Sequence, residues 1–355
     1  CTCTMSIYHK NNRKSRVNKM SITVKEIAEL AGVSRGTVDR ALKNRPGVNP
    51  QTRERVLEIA KQYNYKPNLI GKALAFSKHD VTVEVILNSI GNPFFDEVKK
   101  GIYAAEKEYT DYGLKINITE FKGYDVDDII NILDNLPEGT KNIVLTPIDD
   151  ARLARKVDCL IDNNVNVITL SSDATDSKRI SYVGCDYFKS GETAGRLVGL
   201  LSGGSANLCI VTGSSLHNGH RLRVEGVRKI ISEYENINII DVIENNDDNQ
   251  RAYESMKQIL ANNSKIDFVC ITAGGVAGTL QAIEESQRKI KICSFDDIQV
   301  TRKAMENGKI LATICQQPFE QGYNAIKSIF DIVVAKIDVP KTQHSQLYIK
   351  VDKSL

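Results

Sequence analysis

Two groups of side chains in this chain of 355 residues have the types and spacing for recognition chemistry. Arg35 and Arg40 stand in the run SRGTVDRAL, and a guanidinium fork can bridge two acceptors on guanine, worth roughly 1–3 kcal/mol of discrimination per good pair. The second group follows a series of short apolar runs. In chain order it comprises Asn92-Pro93-Phe94-Phe95, Thr146, Ser171-Ser172-Asp173, a Gly213 loop leading to Arg221 and Arg223, Asp247-Asp248, Thr272, Asp296-Asp297 and Gln316-Gln317. Aromatic faces combined with carboxylates, amides and an arginine suit a polyhydroxylated ligand, because rings stack on C–H faces while charged groups satisfy hydroxyls. A sugar or polyol is the expected ligand. Taken one at a time these residues have plainer uses: Phe94 and Phe95 as core, Asp296 as a helix N-cap. Their common position after strands makes them a set.

Catalytic chemistry lacks parts. His217 and His220 flank Gly219 with no third metal ligand and no nucleophile beside them. Asp296 and Asp297 are adjacent and need not converge as an acid–base pair. The run Gly274-Gly275-Val276-Ala277-Gly278 has no Lys-Ser/Thr after it, so it reads as close helix-to-strand packing rather than a phosphate loop. No enzyme activity, metal or cofactor is expected. Cys159, Cys185, Cys209, Cys270, Cys293 and Cys315 sit in or beside apolar runs without paired spacing, and are expected as buried, reduced thiols; Cys1 and Cys3 belong to a leader.

The elements that must carry these groups fall into two patterns. Thr23-Val24-Lys25-Glu26 is a capping box opening a short helix with Val24, Ile27, Ala28 and Ala31 on one face, ended by Gly32. Ser34 caps a second helix reaching about Leu42, with Val38, Ala41 and Leu42 inward and Arg35, Gly36, Asp39 and Arg40 outward. Asn49-Pro50 starts a third, in which Val56, Ile59, Ala60 and Tyr63 share a face. Two helices joined by Ala-Gly-Val and braced by a third make a helix-turn-helix, whose second helix would enter the major groove. A three-helix domain that binds protein, with solvated arginines, fits the same pattern. The segment from Pro67 to Phe76 is too short and Gly-weakened to stand as a helix alone, and with Leu74 and Phe76 it suits folding against a twin and wedging a leucine into a minor-groove step.

From Val81 the pattern alternates strand and helix: VTVEVIL, KINITEF, NIVLT, NVITL, ANLCIVT, DFVCIT, KICSF and LATICQ, separated by stretches of helical period such as FFDEVKKGIYAAEKEY. Such alternation predicts parallel sheets, and about ten units exceed one sheet of ordinary width, so two doubly wound lobes with a cleft between them are expected. The charge divides the same way. Residues 1–79 hold 16 Lys and Arg against 5 Asp and Glu, a net of +11, whereas residues 80–355 hold 31 against 39, a net of −8. A basic head on an acidic body directs only the head toward a polyanion. Residues 1–19 read as a disordered basic leader without a secretory h-region, Met20 reads as a start, and no apolar stretch suits a membrane span. A cytoplasmic protein without membrane contact is expected.

The run TVKEIAELAGVSRGTVDRALKNRPGVNPQTRERVLEIAKQYNYKPNLIGKALA resembles the DNA-binding head and hinge of the LacI/GalR repressor family, from Ile22 to Ala75 with scarcely a gap. The resemblance implies a transcriptional regulator, a homodimer on a near-palindromic double-stranded operator, a recognition helix from Ser34 and a hinge helix whose leucine is Leu74. DNA-contacting positions on that basis are Thr23, Ser34, Arg35, Gly36, Thr37, Arg40, Asn44, Asn68, Leu74 and Ala75, although Gly36 brings no side chain to a base. Lys78 to Leu355 resembles the periplasmic sugar-binding proteins, nearest to the ribose-binding type. This implies effector contacts from Asn92, Phe94, Phe95, Arg223, Asp296 and Gln316. At three places the chain departs: Ser171 and Ser172 stand for an Asp-Arg pair, Asp247 for a stacking aromatic, and Thr272 with Ala273 for Asn-Asp. Ser171, Ser172, Asp247 and Thr272 are kept as site residues of a pocket that is not a ribose pocket, with Asp247 pointing to a more polar or even cationic ligand. The expected architecture is therefore α/β, two doubly wound parallel-sheet lobes of the periplasmic-binding-protein kind preceded by a small all-α helix-turn-helix domain. Its expected divisions are a helix-turn-helix domain over 20–66, a hinge over 67–79, and an effector domain over 80–355, with one lobe from 80–183 and 317–344 and the other from 184–316 and 345–355. The chain shows no leucine-rich C-terminal tail, so a dimer is expected over a tetramer. A sugar receptor without regulatory role and an α/β carbohydrate enzyme are the alternatives.

Overall fold

The structure, a computed structural model, describes residues 22–42, 45–63, 65 and 81–351. They fall into two compact units, one holding the three N-terminal helices and the other everything from Val81 onward. The expected leader over 1–19, Met20, Cys1, Cys3, Asn44, and the hinge with Asn68, Leu74 and Ala75 lie outside the described residues.

In the head, α1 (Val24–Ala31) begins at a complete capping box: the Thr23 hydroxyl accepts from the Glu26 N–H, and the Glu26 carboxylate accepts from the Thr23 N–H at 2.7 Å. Gly32 ends it with φ of 63°, a left-handed turn that satisfies two carbonyls of the last turn. Ser34 opens α2 (Arg35–Leu42), its hydroxyl accepting from the Thr37 N–H at 3.1 Å, and the Asn49 side chain does the same for α3 (Pro50–Gln62). Ile27, Ala28, Ala31, Val38, Ala41 and Val56 form the core of this unit. Tyr63 departs from the expected inward face: it is 48 % exposed, and Tyr65 packs on the core instead. The helix ends at Gln62, so its 3.6-residue period no longer governs where Tyr63 points.

The body starts with β1 (Val81–Asn88) and α4 (Phe94–Tyr109), then β2 (Leu114–Phe121), α5 (Val126–Asp134), β3 (Asn142–Leu145), α6 (Ala151–Asp162), β4 (Asn166–Leu170) and β5 (Ser181–Gly184). There follow α7 (Tyr187–Ser202), β6 (Ser205–Thr212), α8 (Asn218–Ile231), β7 (Asn236–Glu244), α9 (Asn249–Asn262), β8 (Phe268–Ile271), α10 (Val276–Glu285), β9 (Lys291–Phe295), α11 (Gln299–Glu306) and β10 (Ala312–Cys315). Last come α12 (Pro318–Phe330), β11 (Thr342–His344) and β12 (Tyr348–Val351). Two six-stranded sheets result, in the orders β11-β5-β4-β3-β1-β2 and β12-β10-β9-β8-β6-β7. These are the two doubly wound parallel sheets that the alternation predicts, with a departure at one edge: β12 runs antiparallel to β10. The chain crosses between the sheets three times, at 185–186, 316–317 and 345–347.

Central strands are buried on both faces, so they read as continuous apolar runs, and those are the strands visible in the sequence. β5 and β11 are short, and β7 is a half-exposed edge spaced by Asn and Asp. Cys185, Cys209, Cys270, Cys293 and Cys315 are buried free thiols, but Cys159 is exposed. It lies two residues beyond Val157, the buried side of α6, and two residues on a helix turn about 200° away.

Each lobe is tied together by a pair of helices in backbone contact. A methyl at Gly101 of α4 would lie 2.0 Å from the Phe319 carbonyl oxygen of α12, and one at Gly191 of α7 would lie 2.1 Å from that of Arg223 in α8. Overpacking of this kind costs about 1–3 kcal/mol when the backbone must shift. Gly101→Ala and Gly191→Ala are each expected to lower the stability of the body by that much and its thermal midpoint with it; a midpoint equal to wild type in calorimetric scans would contradict the close approach.

Candidate effector cavity and recognition helix

Side chains from the carboxyl ends of the strands in both lobes enclose a cavity of about 380 Å³, within the range of small-molecule sites. Of the expected effector residues, Asn92, Phe94, Phe95, Ser171, Arg223, Asp247, Asp296 and Gln316 line it. Phe94 and Phe95 are buried at the start of α4 and meet edge to face at 5.3 Å, and the Asn92 side-chain Oδ1 accepts from the Phe94 N–H at 3.1 Å. Ser171, Asp247 and Asp296 each follow a strand with φ near +60° (59°, 57° and 65°), a left-handed turn that costs a non-glycine residue about 1–3 kcal/mol and clusters at functional sites.

Two expected residues are not brought to the cavity. Thr272 turns its hydroxyl to the Val211 carbonyl, and its own carbonyl accepts from the Arg223 guanidinium at 2.7 Å; Ala273 lines the cavity in its place. Ser172 is fully buried with its hydroxyl unpartnered, outside the lining. Arg221, in the first turn of α8, is drawn to Asp149 and Glu225 rather than to the cavity. Asp296 is not an N-cap: its carboxylate accepts from the Gln316 side-chain N–H at 2.9 Å, and α11 begins without a side-chain cap.

Arg223 is buried among Phe295 and Tyr187, whose ring centres lie 4.1 and 4.8 Å from the guanidinium carbon. Burial raises the Asp296 carboxyl above the ordinary range, against the Arg223 charge and the Gln316 hydrogen bond. His217 and His220 stack at 4.2 Å. Burial holds His217 well below the usual histidine range, with the His220 and Arg223 charges adding to it. Burial also lowers His220, opposed by Asp247. The His220 Nδ1 accepts from the Ser214 N–H at 3.0 Å, leaving its proton on Nε2 toward Asp247.

Sequence reasoning missed Tyr124, Tyr187, Phe295 and the lining role of the two histidines. Tyr124 reaches from the loop after β2 to donate to Asp247 of the other lobe at 2.6 Å. Lys122 to Asp248 at 3.6 Å and Arg221 to Asp149 at 3.0 Å span the same cleft. Asn88 fixes the Tyr124 loop through the Gly123 peptide, donating to its carbonyl at 2.8 Å and accepting from its N–H. An Asn ending a strand with a Lys-Gly-Tyr turn was the available signal. Gly274 and Gly275 admit this geometry, since a methyl at Gly274 would meet the Asp247 carboxylate at 2.7 Å, in keeping with the packing reading of that glycine run.

In the head, Arg35, Gly36 and Arg40 are exposed on α2, and neither arginine is drawn into the core. Thr23, Ser34 and Thr37 are engaged in capping: Thr23 with Glu26, and Ser34 with Thr37 at 2.9 Å between hydroxyls. Among the described residues no cluster of His, Cys, Asp and Glu could hold a metal, and no helix is long and apolar enough to cross a membrane.

Comparison with known proteins bears on both units. Residues 83–337 match the periplasmic binding protein domain, and residues 23–68 match the bacterial regulatory proteins of the lacI family. The ribose import binding protein RbsB of Escherichia coli (strain K12) is 24 % identical over 70 % of this chain and 83 % of its own length. The probable HTH-type transcriptional repressor ExuR of Bacillus subtilis (strain 168) is 27 % identical over 78 % and 82 %. Among solved structures, GanP, a glucose-galactose binding protein from Geobacillus stearothermophilus, superposes with a TM-score of 0.73 at 27 % identity, covering 78 % of this chain and 99 % of its own.

The two buried histidines predict a pH dependence. With folded pKa values below the unfolded value of 6.5, the unfolded chain takes up protons first. The stability of the neutral imidazoles is therefore complete above that pH and is lost as pH falls below it, at up to about 1.4 kcal/mol per pH unit for each histidine. Asp296, raised by burial, acts with the opposite sign, losing stability as pH rises through its folded pKa. Thermal melts from about pH 8 down to about pH 5 are expected to fall, and His217→Gln to flatten the decline; an unchanged slope in the variant would remove His217 as its source.

Proposed function

We infer the function of this chain from the fact that it belongs to the periplasmic binding protein domain family and carries a lacI-family DNA-binding domain at residues 23–68: it is a transcriptional regulator that responds to a small sugar-like molecule. The observation that carries this is the union, in one chain, of a capped helix offering Arg35 and Arg40 to solvent with a two-lobed body enclosing a cavity of rings, carboxylates and an arginine. The names of the relatives point the same way, one a probable repressor and others binding proteins for ribose or for glucose and galactose. Nothing in the matched families calls for an enzyme.

The finer reading is a cytoplasmic homodimer acting as a repressor on a near-palindromic operator. Its two recognition helices enter successive major grooves, with Ser34, Arg35, Thr37, Arg40 and Asn44 near base edges or phosphates and Thr23 toward the backbone. The segments with Asn68, Leu74 and Ala75 order together at the operator centre and insert the leucine into the minor groove. Asn92, Phe94, Phe95, Ser171, Arg223, Asp247, Asp296 and Gln316 hold the effector, and cleft geometry transmits its presence to the head.

Removing one base-reading fork should cost about 1–3 kcal/mol of specific binding. Arg40→Ala is expected to weaken retention of a cognate promoter fragment in a retardation assay by roughly 5- to 150-fold with an unchanged melting midpoint. Equal affinity would take Arg40 out of the interface, and a wild-type protein that ignores every promoter fragment at low salt would refute the regulator. Effector and DNA binding are also linked reciprocally, so a coupling of about 1–3 kcal/mol must appear equally in both directions. Calorimetry that gave the free and operator-bound protein identical effector affinity would end the allosteric part.

A further inference from the structure

We propose that the cavity is built for a cationic polyol, a sugar or sugar alcohol carrying one ammonium group, with that group seated against Asp247. The inference rests on the cavity being the effector site and concerns which chemical class it takes. Its basis is the balance of charge in an enclosed space. Arg223 is the buried cation of the wall, and its guanidinium is committed to the Thr272 carbonyl and to two aromatic faces, whereas Lys122 and Arg251, which also line the cavity, are exposed. Three carboxylates line the same space, Asp247, Asp248 and Asp296, and among the described residues neither Asp247 nor Asp296 has a Lys or Arg nitrogen within 4.0 Å.

The partners that Asp247 does have are neutral. Oδ1 accepts from the Gly274 N–H at 2.7 Å and Oδ2 from the Tyr124 hydroxyl at 2.6 Å, while the His220 Nε2 stands 3.8 Å away. Such donors orient a carboxylate without cancelling its charge, and each oxygen keeps a lone pair for a further donor. Burial lowers both neighbouring histidines, favouring their uncharged form. Lys122 sits at the solvent-exposed rim and pairs with Asp248, where water and salt screen it from the interior.

Asp247 is therefore a carboxylate with no Lys or Arg beside it among the described residues, a place that an ammonium fills and that a further carboxylate or phosphate worsens. The Gln316 Oε1, buried and without a partner on the same wall, is a further acceptor for a ligand donor. A neutral sugar would satisfy the hydroxyl contacts and leave Asp247 uncompensated.

The test is calorimetry on the full chain near about pH 6.5, below the ordinary pKa of an amine, with three matched sets of probes. These are D-glucosamine and D-galactosamine; D-glucose, D-galactose and D-ribose; and D-glucuronate and D-galacturonate. An amino sugar is expected to bind at least about tenfold more tightly than its neutral parent, with no heat from the uronates. Asp247→Asn, of nearly the same shape, is expected to erase that preference, and Asp247→Ser provides the same readout should the first variant fail to fold. A neutral sugar or uronate binding as tightly as the amino sugars, or no heat from either amino sugar, overturns the proposal. Promoter retention measured on the same protein separates the two readings: retention with a failed calorimetric result removes the ligand class alone, and lost retention removes the regulator and leaves the calorimetry standing.

Discussion

A guanidinium taken out of water must be given partners, and the body of this protein gathers those of Arg223 from widely separated stretches of chain. They are the Thr272 carbonyl beyond β8, the Ser190 hydroxyl on α7, the Cys185 sulfur at the first crossing, and the rings of Phe295 and Tyr187. Much else follows from seating this one group. The carbonyl of Thr272 is used up, α7 and α8 must approach closely enough that Gly191 meets the Arg223 backbone, and Asp296 is brought into a buried space facing a positive charge. A buried charge with incomplete compensation is costly, so the cavity has an electrostatic reason to take up a partner.

The legible parts of the sequence were those in which local chemistry decides local structure. Thr23 with Glu26, Gly32, Ser34 and Asn49 mark the helix ends of the head because each satisfies backbone groups within a few residues of itself. The central strands were equally plain, being apolar on both faces. Edge strands such as β7, with Asn236, Asn238 and Asp241, lack that signature and owe their existence to a neighbour across the sheet. In the cavity, strand-end residues that turn with positive φ were found from position alone. Thr272 shows the limit of that rule: its side chain faces back to Val211 because backbone direction, rather than distance along the chain, decides which neighbour lines the space. Tyr124 and Tyr187 stand three residues beyond β2 and β5, the same offset as Asp247 from β7; β5, only four residues long, shows no apolar run that would mark its end.

The head solves a different problem. Three short helices bury few side chains, chiefly Ile27, Val38 and Val56, and isolated helices of this length are marginal in water. Capping at each helix start supplies part of what the small core lacks, at typically about 1 kcal/mol per cap. That division of labour leaves Arg35 and Arg40 exposed, outside both the core and the helix caps among the described residues.

The threefold crossing between the two sheets acts on motion as a set of parallel flexures does in a machine. A hinge made of one strand lets two bodies swivel about any axis, but three strands side by side resist twisting and sliding and leave bending as the soft direction. Gln317, held at φ of 55° in the second crossing, and Cys185, beside Arg223 in the first, both lie in this flexure. Movement of one lobe against the other is thereby easiest along the bending direction, and side chains in these connectors set its stiffness.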